Sequence, residues 1–442
     1  MSKKYLSEKR PFWKFLFILG LALFLCINMP TAQASPLFFS AVSNASPVID
    51  QPFNISTGTI DEDFSAVAYN PVDKEYLVLW HNDHPNVTDD IYAQRISERG
   101  EFLSWFYVAD GLYPRVAFNP KNNTYLVVYM KWASTDYDVY AQRVDYNGPL
   151  GIEFLLANNL DEDETYPAVA YNTHASYDEF LVVWENEITT PLAIQKIEGI
   201  RVAGAAGGGD LGGETVGGRI GIADDGNFFS EPDIAYNLNM NEYLVVFTRQ
   251  ASGGGAYDVY GRKVTGIGAV LGTDPINIDS SADNQHKPAV AAYRLDQDTP
   301  YLVVFNDFWN DTTGDVRGYL LNKDAQPMQL VNIATTPMIR EFDPAIAHSE
   351  TWGGYVVTWA QGPSGDIDIF SRQVSSIGLT KPEFDISGFG SAPLVCDRGN
   401  PAIALGQTSA LSVWTDPCGS AGGLDILGRM LSFQIYLPLI IR

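Results

Sequence analysis

Positive charge and cysteine are what this chain of 442 residues has least of. Lysine and arginine together number 28 against 53 aspartates and glutamates, and there are three cysteines. A surface of that sign repels phosphates and excludes nucleic acid as a partner. So few cysteines, one of them at position 26, leave too few ligands for a thiolate zinc site or thiol catalysis. The five histidines are His81, His84, His174, His286 and His348. None stands in the context of a Ser-His-Asp triad. His81 and His84 have ligand-like spacing, but on a connection rather than a helix, where such spacing is common by chance.

The basic residues that do occur are bunched at the start. Lys3, Lys4, Lys9, Arg10 and Lys14 precede the apolar stretch Phe15 to Met29 and the small-residue pattern Ala32-Gln-Ala34. Charge, apolar run and small residues in that order predict a signal peptide over 1–34; the alternative is an uncleaved membrane anchor. Removing 1–34 leaves 23 bases and 52 acids. Cys396 and Cys418 then remain as an even pair in an exported chain, which predicts one disulfide.

What the chain has in abundance is repetition. Pro167-Ala-Val-Ala-Tyr-Asn172 followed by Phe180-Leu-Val-Val-Trp184 reads as two apolar strands joined by a polar turn. Equivalent first strands begin at 65, 114, 167, 232, 288, 344 and 401, at spacings of 49, 53, 65, 56, 56 and 57 residues. Periods of that length belong to propellers or solenoids. A third segment follows in each copy, as in Asp90-Ile-Tyr-Ala-Gln-Arg-Ile96 and Asp138-Val-Tyr-Ala-Gln-Arg-Val144, and six of the seven open with Asp. A fourth follows, as in Ile152 to Leu156, Pro275 to Ile278 and Glu383 to Ile386. Four short strands in seven copies predict an all-β, seven-bladed propeller of four-stranded antiparallel blades.

Packing agrees with that architecture. Ala68, Ala117, Ala170, Ala235, Ala291, Ala347 and Ala404 hold one place in the seven first strands. Crowding around the axis penalises anything larger than a methyl there, by about 1–3 kcal/mol per overpacked site. The second strands are near-continuous apolar runs, as burial on both faces requires. Their aromatic column, Trp80, Tyr129, Trp184, Phe247, Phe305, Trp359 and Trp414, is expected to pack between blades.

Blade seven lacks a fourth strand of its own. Pro52-Phe-Asn-Ile55 matches Pro275-Ile-Asn-Ile278, and each stands 13 residues before a blade start. The N-terminal strand is therefore expected to close blade seven, with Phe433 to Ile440 as the competing latch. The Gly-rich insertion Gly204 to Gly218 lacks the phosphate-loop spacing and reads as a mobile surface loop. The expected layout is 1–34 signal peptide, 35–50 linker, 51–432 propeller and 433–442 hydrophobic tail.

In its Tyr-Leu-Val-Val-Trp and Asp-Val-Tyr-Ala-Gln-Arg-Val phrases the chain resembles repeat propellers of exported bacterial proteins, over roughly residues 52–432. The tail Tyr436-Leu-Pro-Leu-Ile-Ile-Arg442 is similar to short tails on exported proteins of some bacterial lineages, which implies sorting or surface retention. It lacks the Leu-Pro-x-Thr-Gly motif of sortase substrates. WD-repeat, kelch and Asp-box signatures are absent.

Connections from the fourth strand to the next first strand, and from second to third, lie at one end, the upper face. The first set is acidic, with Asp61, Asp63, Asp161 and Asp163 as candidate ligands for a hard cation such as calcium. Arg115 and Asp233 replace an alanine at the second position of the inner strand, and Glu231, Lys287, Asp343 and Asn400 flank the mouth of the axial channel. A charge where alanine would suffice is costly unless paired or hydrated, so these six are the candidate ligand-binding residues. The expected function is a secreted or cell-surface recognition module for a glycan or extracellular protein. The alternative is a carbohydrate-active hydrolase or lyase that uses acids at the same mouth.

Overall fold

The computed structural model describes residues 48–432 apart from 50, 85–88, 160–161, 189–193, 206–214, 294–297, 299, 309–312, 350, 352, 389–395 and 419–422. The signal segment, most of the linker, Asp161 and the competing latch Phe433 to Ile440 lie outside them. The described residues are all-β, and they form seven antiparallel sheets in sequence order: a seven-bladed β-propeller.

The innermost strands are Asp61–Asn70, Leu112–Asn119, Glu162–Tyr171, Phe228–Asn237, Gln285–Ala292, Glu341–Ser349 and Gly399–Leu405. Each pairs with the apolar second strand of its own blade, and seven hydrophobic clusters fill the seven blade interfaces. Each cluster contains one member of the aromatic column from Trp80 to Trp414, every one of them buried. The inner-strand alanines also pack into these clusters, as the crowding argument requires.

The ring is closed by the N-terminal strand. Phe53–Ser56 pairs antiparallel with the third strand of blade seven, Asp425–Ser432, opposite Gly428 and Leu427. Ile55 enters the cluster between blades seven and one, against Tyr76, Val78 and Leu411. A Cβ at position 428 would meet the tip of the Ile55 side chain at 2.7 Å, so the glycine lets the latch seat without moving Ile55.

The repeat's asparagine has a local task. Asn70, Asn119 and Asn237 accept backbone N–H groups two and three residues on, which fixes the first turn of blades one, two and four. The amide of Asn70 donates to Asn123 and that of Asn119 to Asp178, stitching adjacent blades at the lower face.

Two expectations are corrected. Gly204 to Gly218 does not read as a loop throughout, because Thr215–Ala223 is the outermost strand of blade three. The wide spacing of blade three hid a strand with little apolar content. The acidic connections around Asp61–Asp63 and Glu162–Glu164 are not loops either: they are the upper ends of inner strands, paired with Asp83–His81 and Ile188–Asn186. They were concealed by an interruption of the ladder that recurs in all seven blades and builds the site.

Candidate functional site: the axial mouth

In every inner strand two residues face one on the second strand. The pairing skips from Asp63 to Ala66, Leu112 to Arg115, Thr165 to Ala168, Ser230 to Asp233, His286 to Ala289, Phe342 to Ala345 and Gly399 to Ala402. In each case the single opposing residue is the buried aromatic of the column. This is a β-bulge repeated seven times. Its second residue is proline in six blades and Ser65 in the first, which costs nothing because a bulged residue has no ladder bond to lose.

The first bulge residue adopts a left-handed backbone in all seven: Phe64, Tyr113, Tyr166, Glu231, Lys287, Asp343 and Asn400, with φ between 47° and 55°. Outside glycine and asparagine that conformation costs about 1–2 kcal/mol per residue. Seven such residues at one end of the axis are held there by the bulges and the packed aromatics behind them.

The ring has two unlike arcs. Phe64, Tyr113 and Tyr166 from blades one to three form a continuous aromatic run, with ring centroids 4.1 and 5.1 Å apart. Glu231, Lys287, Asp343 and Asn400 from blades four to seven form a polar run. The Lys287 amide donates to Glu231 Oε2 at 2.8 Å and its ammonium to Asp343. Asn400 Nδ2 donates to Asp63 Oδ1 at 2.8 Å, which ties blade seven to blade one. Together they surround a cavity of about 800 Å³.

Arg115 and Asp233 occupy the same register one step deeper, and both line that cavity. Arg115 is exposed within the cavity, and its Nη1 donates to the Pro114 carbonyl at 3.2 Å. Removal from bulk water pulls the guanidinium below its ordinary pKa, against the pull of Asp233 and Tyr113. The same loss of water pushes the Asp233 carboxyl up, opposed by the backbone amides of Val290 and Ile234 and by Arg115. All six candidate ligand residues thus line one cavity.

Glu185, at the upper end of the second strand of blade three, also lines it and is only 4% exposed. Burial pushes its carboxyl up to about 8, although the Glu231 amide donates to Oε2 at 3.3 Å. Glu231 is desolvated as well, but His286, 3.5 Å from its Oε2, and the Lys287 amide outweigh that effect and hold it below the usual carboxylate range. Two neighbouring carboxyls therefore differ in protonation near neutral pH.

The candidate cation ligands are distributed differently. Asp61 and Asp63 line a second cleft beside the ring, where Asp61 Oδ1 accepts the Leu424 amide. Asp63 Oδ1 accepts Thr415 Oγ1 at 2.6 Å as well as Asn400. Asp163 Oδ1 accepts the amide of Tyr137 at 2.9 Å. The sequence reading missed Phe64, Tyr113, Tyr166 and Glu185. The first three stand in the column that precedes the repeat's Pro-Ala-Val-Ala phrase, the place that Glu231, Lys287, Asp343 and Asn400 hold in the other four blades.

No protein-family model and no curated protein matches the chain. Among solved structures, a protein of unknown function from Dyadobacter fermentans is similar, with a TM-score of 0.50 and 10% identity over 88% of this chain and 99% of that one. The Dos1 propeller gives 0.46 and 10% over 87% and 95%. The Hadza microbial sialidase Hz136 gives 0.47 and 10% over 81% and 76%. Likeness at such identities concerns the fold alone.

Proposed function

We propose that this propeller is an exported recognition module whose axial mouth binds a glycan. The observation that carries the reading is the division of one ring into an aromatic and a polar arc around a cavity of about 800 Å³. A pyranose has the same two-sidedness: C–H groups that stack on a ring face, and hydroxyls that need donors and acceptors. Tyr166, 46% exposed, offers its face without rearrangement, while Lys287, Asp343 and Asn400 supply both kinds of hydrogen-bonding group. Retaining aromatic residues in a disfavoured backbone conformation is consistent with use of their rings.

A glycan array followed by titration calorimetry on the best binder tests this. Tyr166→Ala should weaken binding about tenfold, the loss of roughly 1.4 kcal/mol of stacking. A correctly folded protein that retains no glycan, or unchanged affinity in Tyr166→Ala, would overturn it.

One observation favours a second reading. Glu185 and Glu231, adjacent in the mouth and opposite in protonation, have the division of roles that acid–base hydrolysis of a glycosidic bond needs. In that reaction Glu185 would protonate the leaving oxygen and Glu231 would accept a proton from water. Product analysis on polysaccharides decides between the two: turnover lost in Glu185→Gln replaces recognition by hydrolysis, and binding without products retains it.

A further inference from the structure

The aromatic arc has a second side. Phe64, Tyr113 and Tyr166 also face the cleft between blades one and two, a separate cavity of about 430 Å³ completed by Tyr137 and His81. Among the described residues four carboxylates line it, those of Asp61, Asp63, Asp83 and Asp89, with no lysine or arginine. His81 is 4% exposed, stacks on Phe64 at 5.6 Å and leaves Nδ1 without a hydrogen-bond partner. Burial holds its imidazole below the ordinary value despite Asp63, Asp89 and Asp83, so the ring adds no positive charge to the cleft at neutral pH.

Aromatic faces together with four uncompensated negative charges call for a cation, and the geometry says which kind. A hard metal ion needs converging oxygens, six to eight at roughly 2.3–2.6 Å for calcium. Among the described residues, the one group of three acidic, histidine or cysteine ligand atoms mutually within 4.8 Å is at Cys396, Asp416 and Cys418, away from this cleft. The cleft's carboxylates are spread around the wall, whereas the rings of Phe64, Tyr113 and His81 lie 4.1–5.7 Å from one another, centroid to centroid. A diffuse charge within about 6 Å of several ring centroids matches that arrangement.

We propose that this cleft binds an organic ammonium group, primary or quaternary, with its charge over Phe64, Tyr113 and Tyr137 and the four aspartates as counter-charge. The same group occurs free or as the headgroup of a lipid. Asp83 and Tyr137 line this cleft and not the axial mouth, so the proposal and the glycan reading fail separately.

The test titrates the full chain with tetramethylammonium chloride, with sodium and calcium chloride at matched ionic strength as references, and follows tyrosine fluorescence and heat. Saturable binding of tetramethylammonium is expected, weakened about three- to tenfold by Asp83→Asn, whose exposed side chain leaves the fold intact, and about tenfold or more by Tyr137→Leu. Co-sedimentation with phosphatidylcholine vesicles separates the sources: vesicle binding competed by tetramethylammonium assigns a headgroup, and its absence beside saturable binding assigns a free ligand. No saturation by tetramethylammonium, saturation by calcium alone, or unchanged affinity in both folded variants would overturn the proposal.

Discussion

Lys287 has a long, flexible side chain on a backbone conformation that favours glycine and asparagine, at φ 49°. Its ammonium pairs with Asp343 at an exposed site, where ion pairs contribute about 0–1 kcal/mol. Backbone conformation and pairing therefore separate by substitution. Lys287→Asn should be neutral or stabilising by up to about 1 kcal/mol, because asparagine tolerates the left-handed region. Lys287→Val should cost about 2 kcal/mol, since a β-branched residue does not. Denaturant unfolding of the two variants checks this, and equal effects would mean that the bulge relaxes on mutation. The same reasoning shows what the sequence made legible at this scale. Arg115 and Asp233 stood out because they interrupt a column of alanines. Phe64, Tyr113 and Tyr166 did not, because an aromatic beside a β-strand is normally core, and nothing in the residue type announces a positive φ.

At the scale of the element, the repeat phrases located all seven inner strands but placed their starts at the proline. Proline reads as a strand boundary because it breaks a ladder, whereas here it sits in the bulge of a free inner edge, where the ladder is already broken. The latch was legible for a firmer reason: Pro52 to Ile55 matches another blade's fourth segment at the same distance from a blade start. The disulfide was legible from the even cysteine pair, expected export and topology, and Cys396 and Cys418 are bonded, with Cα atoms 6.0 Å apart at a sequence separation of 22. It ties the chain just before the inner strand of blade seven to the chain just after its second strand, beside the buried pair of Arg398 and Asp416 at 2.8 Å. Closing a loop of that size contributes roughly 3 kcal/mol on the chain-entropy model. The Cys396→Ser, Cys418→Ser double variant should lose about that much in denaturant unfolding. A loss below about 1 kcal/mol would show that Arg398 and Asp416 hold this end of the blade without it.

For the molecule as a whole, the buried glutamates set the pH response. Glu62 and Glu341 are pushed up to about 7, and Glu164 and Glu185 to about 8, in each case first by burial. Glu62 accepts from Ser56 and Glu341 from Thr336, so these side chains fasten the end of one blade's outer strand to the inner strand of the next. An acid with a raised folded-state pKa binds protons more tightly folded than unfolded. Its contribution is fully present below the unfolded value near 4.5 and is lost as pH rises through 7 to 8. Thermal unfolding should accordingly show a midpoint at least about 3 °C lower at pH 8.5 than at pH 5.5, and Glu164→Gln should narrow the gap. A midpoint that is flat or rises over that interval would contradict the assignment.

The latch also sets an order of events in time. Phe53–Ser56 is among the first segments of the ring to leave a ribosome or a translocation pore, and its partner Asp425–Ser432 is the last. Until that partner arrives, blades one to six can stack on one another, but the cleft beside blade one stays open and its Tyr76, Val78 and Trp80 face solvent. A chain cut anywhere before blade seven therefore keeps an unpaired strand and an apolar flank at once, the combination that seeds association between copies. Ring closure makes assembly of this protein all-or-none with respect to its own length.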